Sequence, residues 1–226
     1  MTENFNPFLT EYHTPFGTTP FHLIKTEHFE PAMEEGMKAH NRDVDAIVNN
    51  SDEPTFANTI VALEKSGALL DRVTTVFGNL LSAETSDELE VLAERMMPRL
   101  SEHSNNISLN ERLFARIKQV YDETKQGALS QEDYMLLQNT YNSFIRNGAN
   151  LTSEQKERFR QLSAELSVLT LKFSQNNLKE TNRYELLLTP EQTDGLPTSA
   201  LDAYAQAAKD KNQEGYLVTL QAPSFV

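Results

Sequence analysis

The sequence predicts a mainly α protein, a bundle of long helices with a small two-stranded β element near its C-terminus. Three observations carry this reading. Apolar residues recur at alternating spacings of three and four over most of the chain, which gathers them on single helix faces. The 226 residues include only eight Gly and nine Pro, too few breakers for a sandwich or barrel of many short strands. Short β-prone runs replace the helical period only at Tyr184 to Leu188 and Tyr216 to Leu220.

Residues 1 to 25 set Pro7, Pro15, Gly17 and Pro20 among Phe5, Phe8, Phe16 and Phe21. This mixture reads as an extended arm that lays its aromatics onto the domain surface. Thr26 to Asn49 reads as a helix striped by Phe29, Met33, Met37, His40, Val44 and Ile47, with Pro31 tolerated near its first turn. Asp52, Glu53 and Pro54 make a break. Thr55 then caps one continuous helix from Phe56 to about Ala83, because the stripe Ile60, Leu63, Leu70, Val73, Phe77 and Leu80 keeps its period past Gly67 and Gly78. Each glycine costs that helix about 1 kcal/mol relative to Ala. Ser86 caps the next helix, with Asp87 and Glu88 placed well for its dipole. Leu89, Leu92, Met96 and Leu100 face inward there, and Pro98 should kink it.

Asn110 opens a helix carrying Leu113, Phe114, Ile117, Val120 and Tyr121, which ends before Gly127. Ser130 with Asp133 starts another, through Tyr134, Leu137, Tyr141 and Phe144 to Gly148. The longest uninterrupted helix follows, from Leu151 to Thr181. Thr152 and Gln155 form its capping box, and Phe159, Leu162, Leu166, Leu169 and Phe173 line one face. Glu154 with Arg158, and Glu157 with Gln161, belong to the solvent side. Roughly 30 residues make a rod about 45 Å long, so other helices should pack on it and bury Leu166 and Leu169 near its middle. An Ala-rich helix of about 199 to 211 lies between the two β-prone runs. The organisation expected is an arm over 1–25, a helical domain over 26–182 and a small α+β extension over 183–226. The apolar ending Ala222-Pro223-Ser224-Phe225-Val226 reads as a cut. Tyr216, Val218, Leu220, Phe225 and Val226, with Tyr184 to Leu188, are accordingly the expected residues of a surface made to be covered.

Composition narrows the function classes. Twenty basic against 33 acidic residues give a net charge of -13, which repels phosphate backbones and argues against nucleic acid as a partner. The absence of Cys rules out a disulfide framework, a thiolate zinc cluster and a cysteine nucleophile, and fits the cytosol. Glu3, Asn4 and Asn6 stand where a signal peptide needs a basic region and an apolar run. No apolar stretch approaches the roughly 18 residues of a membrane span. A soluble, cytoplasmic chain is expected.

Five histidines are present, His13, His22, His28, His40 and His103, and none stands in HExxH. Met33, Met37 and His40 share a helix face and are ligand types for a soft metal, but their spacing is also that of a buried face, the reading preferred here. GxSxG, GxGxxG and GxxxxGK[ST] loops do not occur. Glu34 with Glu35, and Glu88 with Glu90, fall on predicted solvent faces. Asn49, Asn106 and Asn150 each begin an N-x-[ST] triplet, here without a secretory signal. No catalytic, cofactor-binding or metal-binding residue is assigned.

Pro15-Phe16-Gly17, Pro20-Phe21, Ile24-Lys25, Glu27-His28-Phe29 and Pro31-Ala32 resemble the start of bacterial peptidyl-dipeptidases, which belong to the thimet oligopeptidase family of zinc metallopeptidases. The likeness continues through Pro54-Thr55-Phe56, Asn58-Thr59, Leu63-Glu64, Leu100-Ser101 with His103, Leu109-Asn110, Leu113-Phe114 and Arg116-Ile117. Phe144, Arg146, Gly148-Ala149, Leu151, Phe173 and Asn176 extend it, and Tyr216 to Ser224 close it. The resemblance implies that the chain is the N-terminal part of a longer, mostly helical, monomeric enzyme with a deep channel between two lobes. It implies zinc held in a C-terminal catalytic domain by the two His of HExxH and a downstream Glu, with the Glu inside the motif activating water. None of those residues can be placed on this chain. The implied whole enzyme releases C-terminal dipeptides from oligopeptides or cleaves short peptides internally, and this part supplies one wall of the channel while being inactive alone. The helices by themselves equally allow a stand-alone protein-interaction module, whereas an enzyme built on surface carboxylates has only the acidic composition behind it.

Overall fold

A computed structural model describes residues 5–125 and 127–221. The described residues are mainly α-helical with one two-stranded antiparallel sheet. Its contacts divide it into two units, Met1–Val168 and Leu169–Val226, the division falling inside the longest helix. Among the described residues no helix is long and apolar enough to cross a membrane.

The first unit opens with short 3-10 turns at Pro7–Leu9, Pro15–Gly17, Phe21–Leu23 and Thr26–His28. Asn6 fixes the first of them, its Oδ1 accepting from the Phe8 N–H at 3.1 Å while its Nδ2 donates to the His28 carbonyl at 2.8 Å. Arg72 Nη2 donates to the Phe8 carbonyl. Held on both sides, Phe8 is fully buried, its ring 5.0 Å from Phe29, which lies 5.2 Å from Phe77. The arm does not lay down all its aromatics as expected. Phe5, Phe16 and Phe21 stay exposed, and Phe8 is the buried one because Asn6 and Arg72 secure its backbone.

Helix α1 (Phe29–Val48) is the element on which the unit is assembled, and the stripe predicted for it supplies buried Phe29, Met33, Val44 and Ile47. Helix α3 (Ala68–Ala83) packs along it. At Gly36 a Cβ would stand 2.9 Å from the Leu70 Cα, so the two backbones meet there only because residue 36 lacks one. Helix α4 (Asp87–Ser108) begins at the Ser86 cap, continues past Pro98 and is tied to α1 by ion pairs. Arg95 Nη2 reaches Glu30 Oε2 at 2.6 Å and Arg99 Nη2 reaches Glu34 Oε1 at 2.7 Å. Glu34 is thus not the free surface carboxylate expected. The hydrogen bond from Arg99 holds its carboxyl below the usual carboxylate range.

The continuous helix expected from Phe56 to Ala83 is broken. A π-helical segment, Phe56–Val61, leads into a short α2 (Ala62–Glu64), and Gly67 then turns the chain at φ 71° into α3. Asp43 Oδ2 accepts the Gly67 N–H at 3.3 Å, and a Cβ at position 67 would lie 2.8 Å from His40 Nδ1. The left-handed turn and the close approach of α1 both require glycine there. Gly78, by contrast, sits inside α3 without a neighbour within 4 Å.

Helices α5 (Glu111–Glu123) and α6 (Gln131–Arg146) complete the unit. Asn110 accepts from the N–H groups of Arg112 and Leu113, and Ser130 from that of Asp133, so both helices start where their caps predict. Ile60, Leu113, Ile117 and Leu137 are fully buried in a core shared with Val44, Ile47, Phe114 and Phe144. Arg116 Nη1 donates to the Asn50 carbonyl at 2.9 Å and Nη2 to that of Asp52 at 3.2 Å, tying the loop after α1 to α5.

Helix α7 (Ser153–Arg183) starts at the predicted capping box, Thr152 Oγ1 accepting from the Gln155 N–H and Gln155 Oε1 from that of Thr152. The buried Lys156 ammonium donates to Glu111 Oε1 at 2.8 Å, anchoring this end to α5. The burial expected for its stripe fails. Leu162, Leu166, Leu169 and Phe173 are exposed. Arg158 donates to Gln161 rather than pairing with Glu154.

The second unit follows the predicted strand–helix–strand order. Strands β1 (Glu185–Leu188) and β2 (Tyr216–Thr219) pair antiparallel, Leu186 opposite Val218 and Leu187 opposite Leu217. Helix α8 (Thr198–Asp210) packs on β2, burying Ala208 and Leu217. Tyr184, Leu186, Leu187 and Leu220 remain exposed, while Phe225 and Val226 lie outside the described residues. In the 226-residue chain Ile117→Ala should cost roughly 2–5 kcal/mol through lost burial and a residual cavity. Leu166→Ala should stay within about 0.5 kcal/mol of the parent. Urea melts with equal losses for the two would show that the α7 stripe is buried after all.

Candidate functional site

The most distinctive polar constellation in the first unit joins α1 to α4. His40 and His103, 63 residues apart, bring Nδ1 and Nε2 to 3.1 Å, their rings edge-on with centroids 5.1 Å apart. One nitrogen carries the shared proton and the other accepts it. The face that His40 shares with Met37 places it here through helical period alone. His103 comes from the inner side of α4, where it is buried. Burial pushes the pKa of His40 down, and the Asp43 carboxylate partly opposes this. Burial also lowers that of His103, helped by the charge His40 would carry.

A pocket of about 850 Å³ opens beside the pair, lined also by Glu64, Lys65, Gly67, Asp71 and Phe144. A second, of about 770 Å³, is lined by Glu27, Glu30, Glu34, Asp87 and Glu88, with Arg95 as its cation. Neither assembles a metal centre. Among the described residues no group of three or more His, Cys, Asp or Glu side chains could hold an ion, and two imidazoles bonded to each other fall short of the three protein ligands a catalytic zinc takes. Met33 is fully buried and Met37 partly so.

The residues that carry the family resemblance are mostly structural. Thr55 and Asn58 form a reciprocal capping box, Asn58 Nδ2 adding a bond to the Glu53 carbonyl at 2.9 Å, and Thr59 is fully buried. His28 Nδ1 accepts the Lys25 N–H at 3.1 Å, closing the turn before α1. Leu113, Ile117 and Phe144 are core, and Gly148 at φ 90° leads to α7 where a Cβ would meet Leu151 at 2.8 Å. Phe173 and Asn176 on α7 are exposed, as are Phe16 and Phe21 of the arm. The His40–His103 contact is what sequence reasoning missed, since no local spacing links residues from two helices.

The pair has a consequence for stability. Both imidazoles titrate below the ordinary histidine value when folded, so unfolding takes up protons as pH falls. Their contribution is complete above about pH 6.5 and is lost as pH drops through the depressed folded values. Urea midpoints should therefore be higher at about pH 7.5 than at about pH 5.5, and His103→Gln should shrink that difference. An equal pH response in the parent and the variant would remove the pair from this role.

No family model matches the chain. The chain is 36% identical over 210 residues to the dipeptidyl carboxypeptidase of Salmonella typhimurium, covering 92% of this chain and 31% of that protein. It is 35% identical over 226 residues to the dipeptidyl carboxypeptidase of Escherichia coli, covering 97% and 33%. To oligopeptidase A of Salmonella typhimurium it is 30% identical over 222 residues, covering 98% and 32%. The chain thus spans about a third of the length of the curated relatives it matches. The chain is homologous over nearly its whole length to these peptidases of the thimet oligopeptidase family, as a partial-length relative of them.

Proposed function

We propose that this chain is the N-terminal, substrate-channel-forming domain of a zinc metallopeptidase that cleaves oligopeptides by releasing C-terminal dipeptides. The observation that carries the reading is similarity to dipeptidyl carboxypeptidases along more than nine-tenths of the chain, at higher identity than to oligopeptidase A. The order of the matching segments, beginning with the Pro-Phe pairs of the arm, supports an N-terminal place. A domain with this role needs a rigid helical wall rather than reactive groups. The α1–α3 contact, the Arg–Glu ties to α4 and the α5–α6 core supply such rigidity.

Zinc belongs to the whole enzyme in this reading. The described residues do not fit it, so no chemical step runs through them. The metal and the activated water would be held by a catalytic domain in the remaining two-thirds of the polypeptide, with which this domain forms a monomer. A cytoplasmic location fits the absence of Cys, and relatives include a probable cytosolic oligopeptidase A of Arabidopsis thaliana.

Expression of the reading frame beyond Val226 tests this directly. The full-length product should hold one zinc and release dipeptides, identified by mass spectrometry, from the C-termini of short peptides. The 226-residue chain should retain no stoichiometric zinc after dialysis against a weak chelator and hydrolyse nothing. A tightly held zinc in the short chain, or a zinc-free and inactive full-length product, would refute the proposal. Internal cleavage products would replace dipeptide release by oligopeptidase chemistry.

A further inference from the structure

Helix α6 ends on the single Asn-Gly step in the 226 residues, Asn147–Gly148. Asn147 caps the helix at φ -87° and ψ 15°, and it is exposed. Gly148 follows in the left-handed region at φ 90° and is buried. The Gly148 N–H donates to the Ile145 carbonyl at 3.1 Å and the Ala149 N–H to that of Phe144 at 3.0 Å, the paired bonds that close a helix on glycine. Asn147 Nδ2 donates to the Ser143 carbonyl at 2.9 Å and to Ser143 Oγ at 3.3 Å. The Gly148 backbone nitrogen and the Asn147 side-chain amide are thus both engaged within the last turn of α6.

An Asn side chain is open to attack by the backbone nitrogen that follows it, and most so before glycine, which has no Cβ to shield that nitrogen. We propose that Asn147–Gly148 is a site of spontaneous deamidation, held shut by the C-terminal turn of α6, released when that turn opens and damaging to the turn once modified. In the reaction Gly148 N gives up its proton and bonds to Asn147 Cγ. The Cγ–Nδ2 bond breaks, and Nδ2 leaves with that proton as ammonia. Water then opens the succinimide ring at either carbonyl and leaves aspartate or isoaspartate, with no change of oxidation state. The folded turn opposes the attack in two ways. Its hydrogen bond commits the Gly148 N–H to Ile145. At ψ 15° the Gly148 nitrogen nearly eclipses the Asn147 backbone nitrogen, on the side away from Cβ where the ring has to close. Both products disturb the turn. Aspartate sets a negative charge at the negative end of the α6 dipole. Isoaspartate adds a methylene to the backbone, which moves the Gly148 and Ala149 N–H groups off their carbonyls.

Peptide mapping by mass spectrometry reads the reaction. The 226-residue chain is aged at one mildly alkaline pH, in buffer and in denaturing guanidinium chloride. Deamidation at 147 should run at least about tenfold faster in denaturant, where no opening of the turn has to precede it. In denaturant it should also outpace the Asn50–Ser51 and Asn142–Ser143 steps, whose following residue carries a side chain. Asn147→Gln keeps an amide at this exposed position but makes the ring larger and slower to close, so aged samples of that variant should stay unmodified there. Chains modified at 147, separated by ion exchange, should unfold at lower urea than unmodified chains of the same age. Equal rates in buffer and denaturant overturn the proposal, since the turn then holds nothing shut. So does a rate in denaturant no higher at 147 than at the two Asn-Ser steps. Modified chains that keep the parent's urea midpoint overturn it as well, because the turn would then tolerate both products.

Discussion

The first unit depends on how closely α3 can approach α1. Gly36 removes the Cβ that would collide with the Leu70 backbone, and Gly67 removes the one that would collide with the His40 ring. With both glycines in place, Leu70, Val73 and Phe77 reach the core beside Met33 and Phe29, and the aromatic contact continues to Phe8 of the arm. A side chain at either position would force the helices apart and open voids that interiors packed at crystal-like density tolerate poorly. The Arg95 and Arg99 pairs and the His40–His103 contact then fix α4 on the same helix.

The exposed stripe of α7 is compatible with a stable helix. Thirty-one residues without Gly or Pro, a reciprocal capping box and the buried Lys156 anchor favour the helical backbone at its start. Burial of the stripe is a separate matter, decided by whether another element lies over it. A helix can therefore be specified by local sequence while its apolar face stays exposed.

The family resemblance speaks mainly about architecture. Caps at Thr55 and Asn110, the turn at Gly148 and core residues such as Leu113 and Ile117 account for most of it within the first unit. These positions preserve where helices begin, where they turn and what they enclose.

Helix starts, the change of period after residue 183 and the inward faces of α1, α4, α5 and α6 were legible in the sequence, because caps, breakers and apolar spacing act over a few residues. The homology to thimet oligopeptidase-family peptidases was equally legible. Tertiary structure alone decided the break at Gly67, since its cause is the His40 ring on another helix. It alone paired Glu34 with Arg99, joined His40 to His103 and left Leu166 in solvent while burying Leu217. Periodicity tells which residues of a helix share a face. What meets that face depends on segments distant in sequence, and only the packed chain brings those together.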